Sequence, residues 1–420
     1  MTAVLKKYNI TCMKEYIRKP LFAALSKRLK NKPTLIQVII GPRQVGKTTL
    51  ALQIYDRCNG PKLYKTADLP NTPTTDWVAT QWKEARALYA NKKNGTLLIL
   101  DEIQKIAHWS EAVKRLFDED KRSRKTMRVL LLGSSSLLMQ KGLTESLAGR
   151  FEIHRHNHWS FAECKEYFNL KLEEYLYFGG YPGALPLRKD EERWAKYIRD
   201  SLIETVLSKD VLLMYPITKP ALLRQVFGIS LAYPAEIMSY NKMIGQLQDA
   251  GNTTTVAFYL RLLSNAFLLS PLEKYSGSKI RQRGSTPKII ISDNSLISAT
   301  AGQNFKHAIK NKGFWGRMVE NGVGACLYHL LQEFGGNLFY WRDRDAEVDY
   351  IAQIGHRLIA IEVKSGWPSK PPASLELFAR RYNNIEKIII SQQKDKGTGK
   401  NVKYLSLTDF FLNPFKNIGI

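Results

Sequence analysis

Cysteine is scarce in this sequence. Its 420 residues hold four, Cys12, Cys58, Cys164 and Cys326, far apart and with no CxxC pair. That spacing speaks against a zinc ribbon or a disulfide framework and fits reduced thiols. Long hydrophobic runs are missing as well. None approaches the roughly 18 residues needed to cross a bilayer, and stretches such as Val129–Leu132 and Ile289–Ile291 have strand length at most. No membrane partner is expected. Met1–Ile10 carries Lys6 and Lys7 but no apolar core of signal-peptide length, so the expectation is a cytoplasmic protein. Internal repeats and low-complexity tracts are absent too. Acidic residues are few: 38 Asp and Glu stand against 63 Lys and Arg, a formal charge of +25. Such an excess serves solubility or forms an electrostatic footprint for DNA or RNA. It is spread along the chain, densest at Lys114, Arg115, Lys121, Arg122, Arg124, Lys125 and Arg128, and again at Lys279, Arg281 and Arg283. Neither cluster has the interleaved aromatics of a single-strand stacking platform.

What is present has the pattern of a multidomain α/β protein. Residues 14–35 read as an amphipathic helix through Tyr16, Ile17, Leu21, Leu25 and Leu29, ended by Lys32–Pro33. Leu35–Ile40, Leu97–Leu100 and Val129–Leu132 are apolar runs that suit strands buried on both faces of a parallel sheet. Helical patterns at Thr48–Tyr55, Trp82–Tyr89 and Trp109–Phe117 alternate with them. Residues 1–160 are therefore expected to form one α/β domain. Residues 161–280 read as mostly helical, with candidates at Leu202–Leu213, Leu222–Leu231, Ser239–Leu247 and Thr253–Leu263, and strand-like Phe267–Leu272 behind them. Two helices followed by a β segment are compatible with a winged-helix unit. Residues 281–420 return to α/β character: Phe314–Leu331 and Leu375–Tyr382 as helices, and Lys288–Ser292, Asn337–Arg342, Val348–Ile354, Leu358–Val363 and Lys387–Ser391 as strands.

One motif carries specific chemistry. Gly41-Pro42-Arg43-Gln44-Val45-Gly46-Lys47-Thr48, followed by Thr49, fits G-x-x-x-x-G-K-[ST] at every fixed position, between an expected strand and an expected helix. Glycines let backbone N–H groups curl around phosphates, and the helix start offers its positive dipole end to them. Lys47 supplies a point charge to the β and γ phosphates, and the Thr48 hydroxyl a ligand to Mg²⁺. The cofactors expected are thus ATP and Mg²⁺. The run Leu97–Leu100 ends in Asp101 and Glu102: Asp101 is the expected metal carboxylate and Glu102 the base for the attacking water. Val129–Leu132 leads into Gly133, Ser134 and Ser135. These two serines either contact the γ-phosphate or its water, or simply close a strand. His154, His156 and His158 alternate, yet no Cys or acid pattern completes a metal site.

These stretches resemble the predicted AAA+ superfamily ATPases of bacteria and archaea that carry a characteristic C-terminal domain. The resemblance rests on Ile40–Leu50, Leu98–Gln104, Leu132–Ser135 and Glu145–Arg150, and with later segments it covers nearly the whole chain. It implies that Arg150 acts as an arginine finger or sensor arginine, with a structural ion pair as the alternative. His158-Trp159 stands where the family usually has a proline. Phe178-Gly-Gly-Tyr181-Pro-Gly183 also resembles the family, and reads as a structural tight turn. Ser239–Leu263 resembles its winged-helix segment, although Thr253–Leu263 offers only Arg261 as a strong reader of bases or phosphates.

The last third resembles a PD-(D/E)xK, restriction-endonuclease-like core. Glu320 lies on an expected helix, Asp349 ends Trp341-Arg-Asp-Arg-Asp-Ala-Glu-Val-Asp349, and about twelve residues later Glu362-Val-Lys364 follows on a strand. Glu362 and Lys364 share a strand face, as do Glu347 and Asp349. The resemblance implies a Mg²⁺ at Asp349 and Glu362 with Lys364 as the activating cation. A metal-dependent nuclease, a nucleic-acid-binding or inactive remnant, and a protein-interaction module all remain open here. The leading expectation is an ATP-driven switch or motor acting on nucleic acid. The alternative is a nucleotide-gated scaffold with a protein partner. The sequence does not set the oligomeric state.

Overall fold

The computed structural model describes residues 16–30, 34–88, 95–133, 146–212, 219–247, 252–277, 284–366, 372–392 and 402–419, with the single positions Met139, Leu143, Ile217 and Gln282. The chain forms two compact units. The first takes the described residues of Met1–Val38, Lys47–Leu132 and Ser146–His154, and the second those of Ile39–Gly46, Gly133–Glu145 and Arg155–Ile420. Both positions at which the sequence pattern divides the chain, 160 and 280, lie within the second unit.

A five-stranded sheet is built mostly from residues of the first unit. Its strands are β1 (Ile36–Ile40), β2 (Lys62–Thr66), β3 (Thr96–Asp101), β4 (Met127–Gly133) and β5 (Phe151–Arg155), in the order β2-β3-β4-β1-β5. β2 pairs with β3 and β3 with β4 in parallel. β5 follows β1 in the same sense, since Ile36 N–H donates to Arg150 O and His156 N–H to Ile40 O. The three inner strands are the apolar runs expected from the sequence, and every residue in them is buried. The edge strands, KLYKT and FEIHR, are half-buried throughout, which explains their mixed composition. Helices Lys19–Lys30, Lys47–Arg57, Thr75–Ala87 and Trp109–Arg122 complete the unit. Ala112, Val113, Leu116 and Phe117 recur at helical spacing and are buried. Asp120 on the same helix is buried but satisfied, accepting from Trp82 Nε1 at 2.6 Å and Arg86 Nε at 2.8 Å. Arg128 of the basic cluster is 3 % exposed and donates to Leu29 O and Gly95 O, so it holds the fold rather than forming a binding face.

In the second unit, helices Phe161–Phe168 and Leu172–Phe178 lead to the Gly-Gly-Tyr-Pro turn. Gly179 has φ +74°, and a Cβ there would lie 1.9 Å from Asp293 Oδ1. Asp293, fully buried, accepts from Gly180 N–H at 2.8 Å. The turn is thus structural: its backbone replaces water around a buried carboxylate. The helix expected at Leu202–Leu213 is instead wound as two π-helical segments, Tyr197–Glu204 and Val206–Leu212. Apolar spacing over seven or eight residues does not separate the two windings. Helices Pro220–Ala232, Tyr240–Ile244 and Thr253–Asn265 follow, then an antiparallel ribbon of β6 (Leu269–Leu272) and β7 (Lys288–Ile291).

The 22-residue helix Lys312–Glu333 packs on a second five-stranded sheet. β8 (Asn337–Asp343), β9 (Ala346–Ile354) and β10 (Arg357–Lys364) form an antiparallel meander. β11 (Ile385–Ser391) and β12 (Val402–Ser406) add in parallel, giving the order β12-β11-β10-β9-β8. Asn321, fully buried on the long helix, accepts from Ile291 N–H and donates to Ile291 O and to Asn294 Oδ1, so its amide satisfies the backbone at the end of β7.

Two glycines separate these constraints by sign. Gly179→Ala meets both a left-handed backbone and the Asp293 carboxylate, and is expected to cost roughly 3 kcal/mol. Gly228, inside helix Pro220–Ala232, has open space where a Cβ would go. Gly228→Ala is expected to stabilise by about 0.5–1 kcal/mol. Urea unfolding of both variants checks this; a tolerated Gly179→Ala would remove the account of the turn.

Candidate functional site

The phosphate-loop motif starts where β1 ends. Gly41 passes under a neighbouring backbone: a Cβ would lie 2.1 Å from His156 O. Gln44 and Gly46 take positive φ, +60° and +100°. The loop is tied down within the second unit. Trp159 Nε1 donates to Val45 O at 3.0 Å, and Tyr197 O–H donates to Gln44 Oε1. Arg43 donates twice to Asp210, Nε to Oδ2 and Nη2 to Oδ1, both at 2.5 Å. Tyr197 and Asp210 come one from each π-helical segment, a winding frequent at functional sites. Trp159 stands where the resemblance leads one to expect the proline region, and its indole supplies the donor that this loop uses. Pro42 and Thr49 belong to the same motif.

Within the first unit, Lys47 and Thr48 open the helix Lys47–Arg57, and Lys47 is buried. Thr48 Oγ1 donates to Asp101 Oδ2 at 2.8 Å, and Tyr64 O–H donates to the same oxygen at 2.9 Å. Burial and then the Asp101 charge push the Tyr64 phenol well above its ordinary value, so it stays a donor. Asp101 Oδ1 accepts from Glu102 N–H at 2.9 Å. Glu102 itself takes a left-handed backbone, φ +54°, and its Oε2 accepts from Gln104 Nε2 at 2.6 Å. The structure therefore brings the hydroxyl of Thr48 to the carboxylate of Asp101 and orients Glu102 beside it. The donor set Thr48 hydroxyl plus Asp101 carboxylate consists of hard oxygens, which fits Mg²⁺.

Arg150 forms a two-fold ion pair with Asp118, Nε to Oδ1 at 2.8 Å and Nη2 to Oδ2 at 3.0 Å. That pairing holds the Asp118 carboxyl below its ordinary range. Ser134 and Ser135 lie outside the described residues, as do Lys279, Arg281 and Arg283. His154 Nε2 lies 2.7 Å from Gln37 Oε1, and His158 packs edge-on against Tyr181.

The four C-terminal residues meet in the second unit. Glu320 comes from helix Lys312–Glu333, Asp349 from β9, and Glu362 and Lys364 from β10. Asp349 Oδ2 accepts from Val363 N–H at 2.7 Å, and Lys364 Nζ donates to Glu362 Oε1 at 2.6 Å. Glu320, Glu347 and Asp349 place one oxygen each within 4.8 Å of one another. Burial first, then the Asp349 charge, push both Glu320 and Glu362 up to about 7. The residue not foreseen here is Lys288, the first of β7. Its ammonium is fully buried, 2.6 Å from Glu320 Oε1, 3.1 Å from Glu347 Oε1 and 3.7 Å from Asp349 Oδ1. Burial alone would pull that lysine down, but the three carboxylates outweigh it and hold the charge. The signal was a lysine heading the apolar run Ile289–Ile291. That ammonium lies among the three carboxylates.

Residues 33–165 match the AAA domain family. Over that segment the chain is similar to AAA-domain ATPases, in keeping with its parallel sheet. Residues 169–307 and 315–410 match two families described as domains of unknown function, DUF8612 and DUF4143. An uncharacterized protein of Mycobacterium tuberculosis is 27% identical over 357 residues, 85% of this chain and 75% of the relative. An uncharacterized protein of Methanocaldococcus jannaschii is 26% identical over 345 residues, 77% of this chain and 73% of the relative. Among solved structures, a Walker-type ATPase of Pyrococcus abyssi aligns at 15% identity and a TM-score of 0.45, over 68% of this chain and 95% of its own. Among the described residues no helix is long and apolar enough to cross a membrane.

The Arg43–Asp210 pair yields a test of asymmetry. The Asp210 side chain is 4% exposed and that of Arg43 24%. Arg43→Ala strands a buried carboxylate and is expected to cost about 3 kcal/mol, whereas Asp210→Ala leaves an arginine that can reach water and costs about 1–2 kcal/mol. Urea titration of both variants measures the order; the reverse order would contradict this reading.

Proposed function

We propose that this chain is an ATP-binding and ATP-hydrolysing switch of the AAA+ type. The observation that carries the reading is the 2.8 Å hydrogen bond from Thr48 Oγ1 to Asp101 Oδ2, inside a segment that matches the AAA domain family. Gly41–Gly46 would wrap the phosphates with backbone N–H groups, and Lys47 would set its charge against the β and γ oxygens. Thr48 and Asp101 would hold Mg²⁺, which when bound neutralises charge on those oxygens. Tyr64 keeps the Asp101 carboxylate oriented. Glu102 takes the proton of the attacking water, and Gln104 fixes its carboxylate for that task. Ser134, Ser135 and Arg150 are the remaining candidates for contact with the γ-phosphate; Arg150 would have to leave Asp118 first.

The switch would act through the second unit. The loop Ile39–Gly46 belongs to it, and the anchors Trp159, Tyr197 and Asp210 would respond when phosphates fill the loop. Helices Pro220–Ala232, Tyr240–Ile244 and Thr253–Asn265 with the β6–β7 ribbon have the element order of a winged-helix unit. Arg261 stacks on Phe258, at 5.4 Å from its ring centroid. The helix and sheet of residues 312–406 have the element order of a nuclease-like core. The charge of +25 favours nucleic acid as the partner. The Lys288 arrangement favours the second reading for the C-terminal part: a nuclease-like domain without cleavage that binds a partner, nucleic acid or protein.

ATP binding and turnover, with and without DNA or RNA at two salt concentrations, test this. Lys47→Ala is expected to weaken ATP binding at least about tenfold, and Glu102→Gln to keep binding while slowing turnover by about 100-fold or more. Stimulation by nucleic acid that fades with salt supports the nucleic-acid partner; unstimulated turnover moves the reading to a protein partner. Turnover unchanged in Glu102→Gln contradicts the assignment of the base.

A further inference from the structure

We infer that Lys288 is a built-in cation that takes the place of a divalent metal ion in the C-terminal acidic cluster. Glu320, Glu347 and Asp349 have the composition and spacing of a hard-cation site. An ion there would sit about 2.0–2.6 Å from the carboxylate oxygens. The ammonium of Lys288 already lies 2.6 Å from Glu320 Oε1 and 3.1 Å from Glu347 Oε1, distances proper to a charged hydrogen bond. Both cations cannot share that space.

Lys288 is no surface lysine that strayed inward. Its side chain is 0% exposed, and its ammonium lies 5.1 Å from the centroid of the Tyr350 ring. Tyr350 O–H donates to Glu320 O at 2.8 Å, which locks the ring against the same helix that carries the first carboxylate. The backbone of Lys288 is fixed too, paired with Leu272 in the ribbon and bridged to Ile237. The lysine therefore comes from outside the acidic motif, on the β6–β7 ribbon, where pairing fixes its backbone and the carboxylates and the Tyr350 ring surround its ammonium. The functional consequence is that the lysine fills the cluster in place of an ion. It joins the ribbon to the second sheet, and it leaves the C-terminal domain without the metal that phosphodiester cleavage of this kind would need. Removing the lysine charge should uncover a latent site for a divalent cation.

Binding of Mn²⁺ to the nucleotide-free full chain, followed by the loss of the free-ion paramagnetic resonance signal, tests this. Asp349→Asn serves as the reference, because weak binding at the phosphate loop is common to both. Wild type and Asp349→Asn are expected to bind the same amount of Mn²⁺. Lys288→Met is expected to gain one site per chain, at least tenfold tighter than any wild-type binding, and to lose it when combined with Asp349→Asn. A wild-type site that disappears in Asp349→Asn overturns the inference, as does a folded Lys288→Met that gains no site. Should Lys288→Met not fold, the comparison of wild type with Asp349→Asn decides alone: equal binding sustains the inference, and one lost site overturns it.

Discussion

The phosphate loop can hold its shape only if a short stretch of strained backbone is pinned on both sides. Gly41 has no room for a Cβ beneath His156 O, and Gln44 and Gly46 turn through positive φ. Such a loop would relax without anchors. The indole of Trp159, the phenol of Tyr197 and the carboxylate of Asp210 provide them. The next residue, Lys47, starts a helix of the first unit, whose sheet places Asp101 to receive the Thr48 hydroxyl. The same loop is bonded to the π-helical segments that carry Tyr197 and Asp210.

Buried charge is the second organising constraint. Every deeply placed ion discussed above has a partner: Asp120 has Trp82 and Arg86, Asp293 has the Gly-Gly turn and Ser295, Lys288 has its three carboxylates. Removing one member of such a set leaves the other uncompensated, which costs far more than the pair contributes. These sets fix which elements meet. Lys288 selects the ribbon for the second sheet, much as Asn321 selects β7 for the long helix.

The sequence made the inner strands of the first sheet legible because burial on both faces leaves an unbroken apolar run, as in Leu97–Leu100 and Val129–Leu132. The edge strand β2, KLYKT, is half-buried and gave no such signal. The motif from Gly41 to Thr48 and the pair Asp101–Glu102 could be singled out because phosphate chemistry demands local spacing, and the fold brings Thr48 to Asp101. Tyr64, Trp159, Tyr197 and Asp210 were not, because each reaches its partner across 37 or more residues. The π winding escaped for a different reason: it changes the hydrogen-bond span without changing composition. In the C-terminal part, the alternation of strand side chains brought Glu362 and Lys364 to one face, but only the fold could reveal that a lysine from β7 enters the same cluster.

The central claim is that nucleotide in the loop is felt by the loop's anchors in the second unit. Hydrogen exchange of the Glu102→Gln protein with and without ATP·Mg²⁺ tests it most directly. The account predicts slower exchange not only in Lys47–Arg57 but also in the segments around Trp159 and from Tyr197 to Leu212. Slowing confined to Lys47–Arg57 and the Asp101–Gln104 turn, with the anchor segments unchanged, would contradict it.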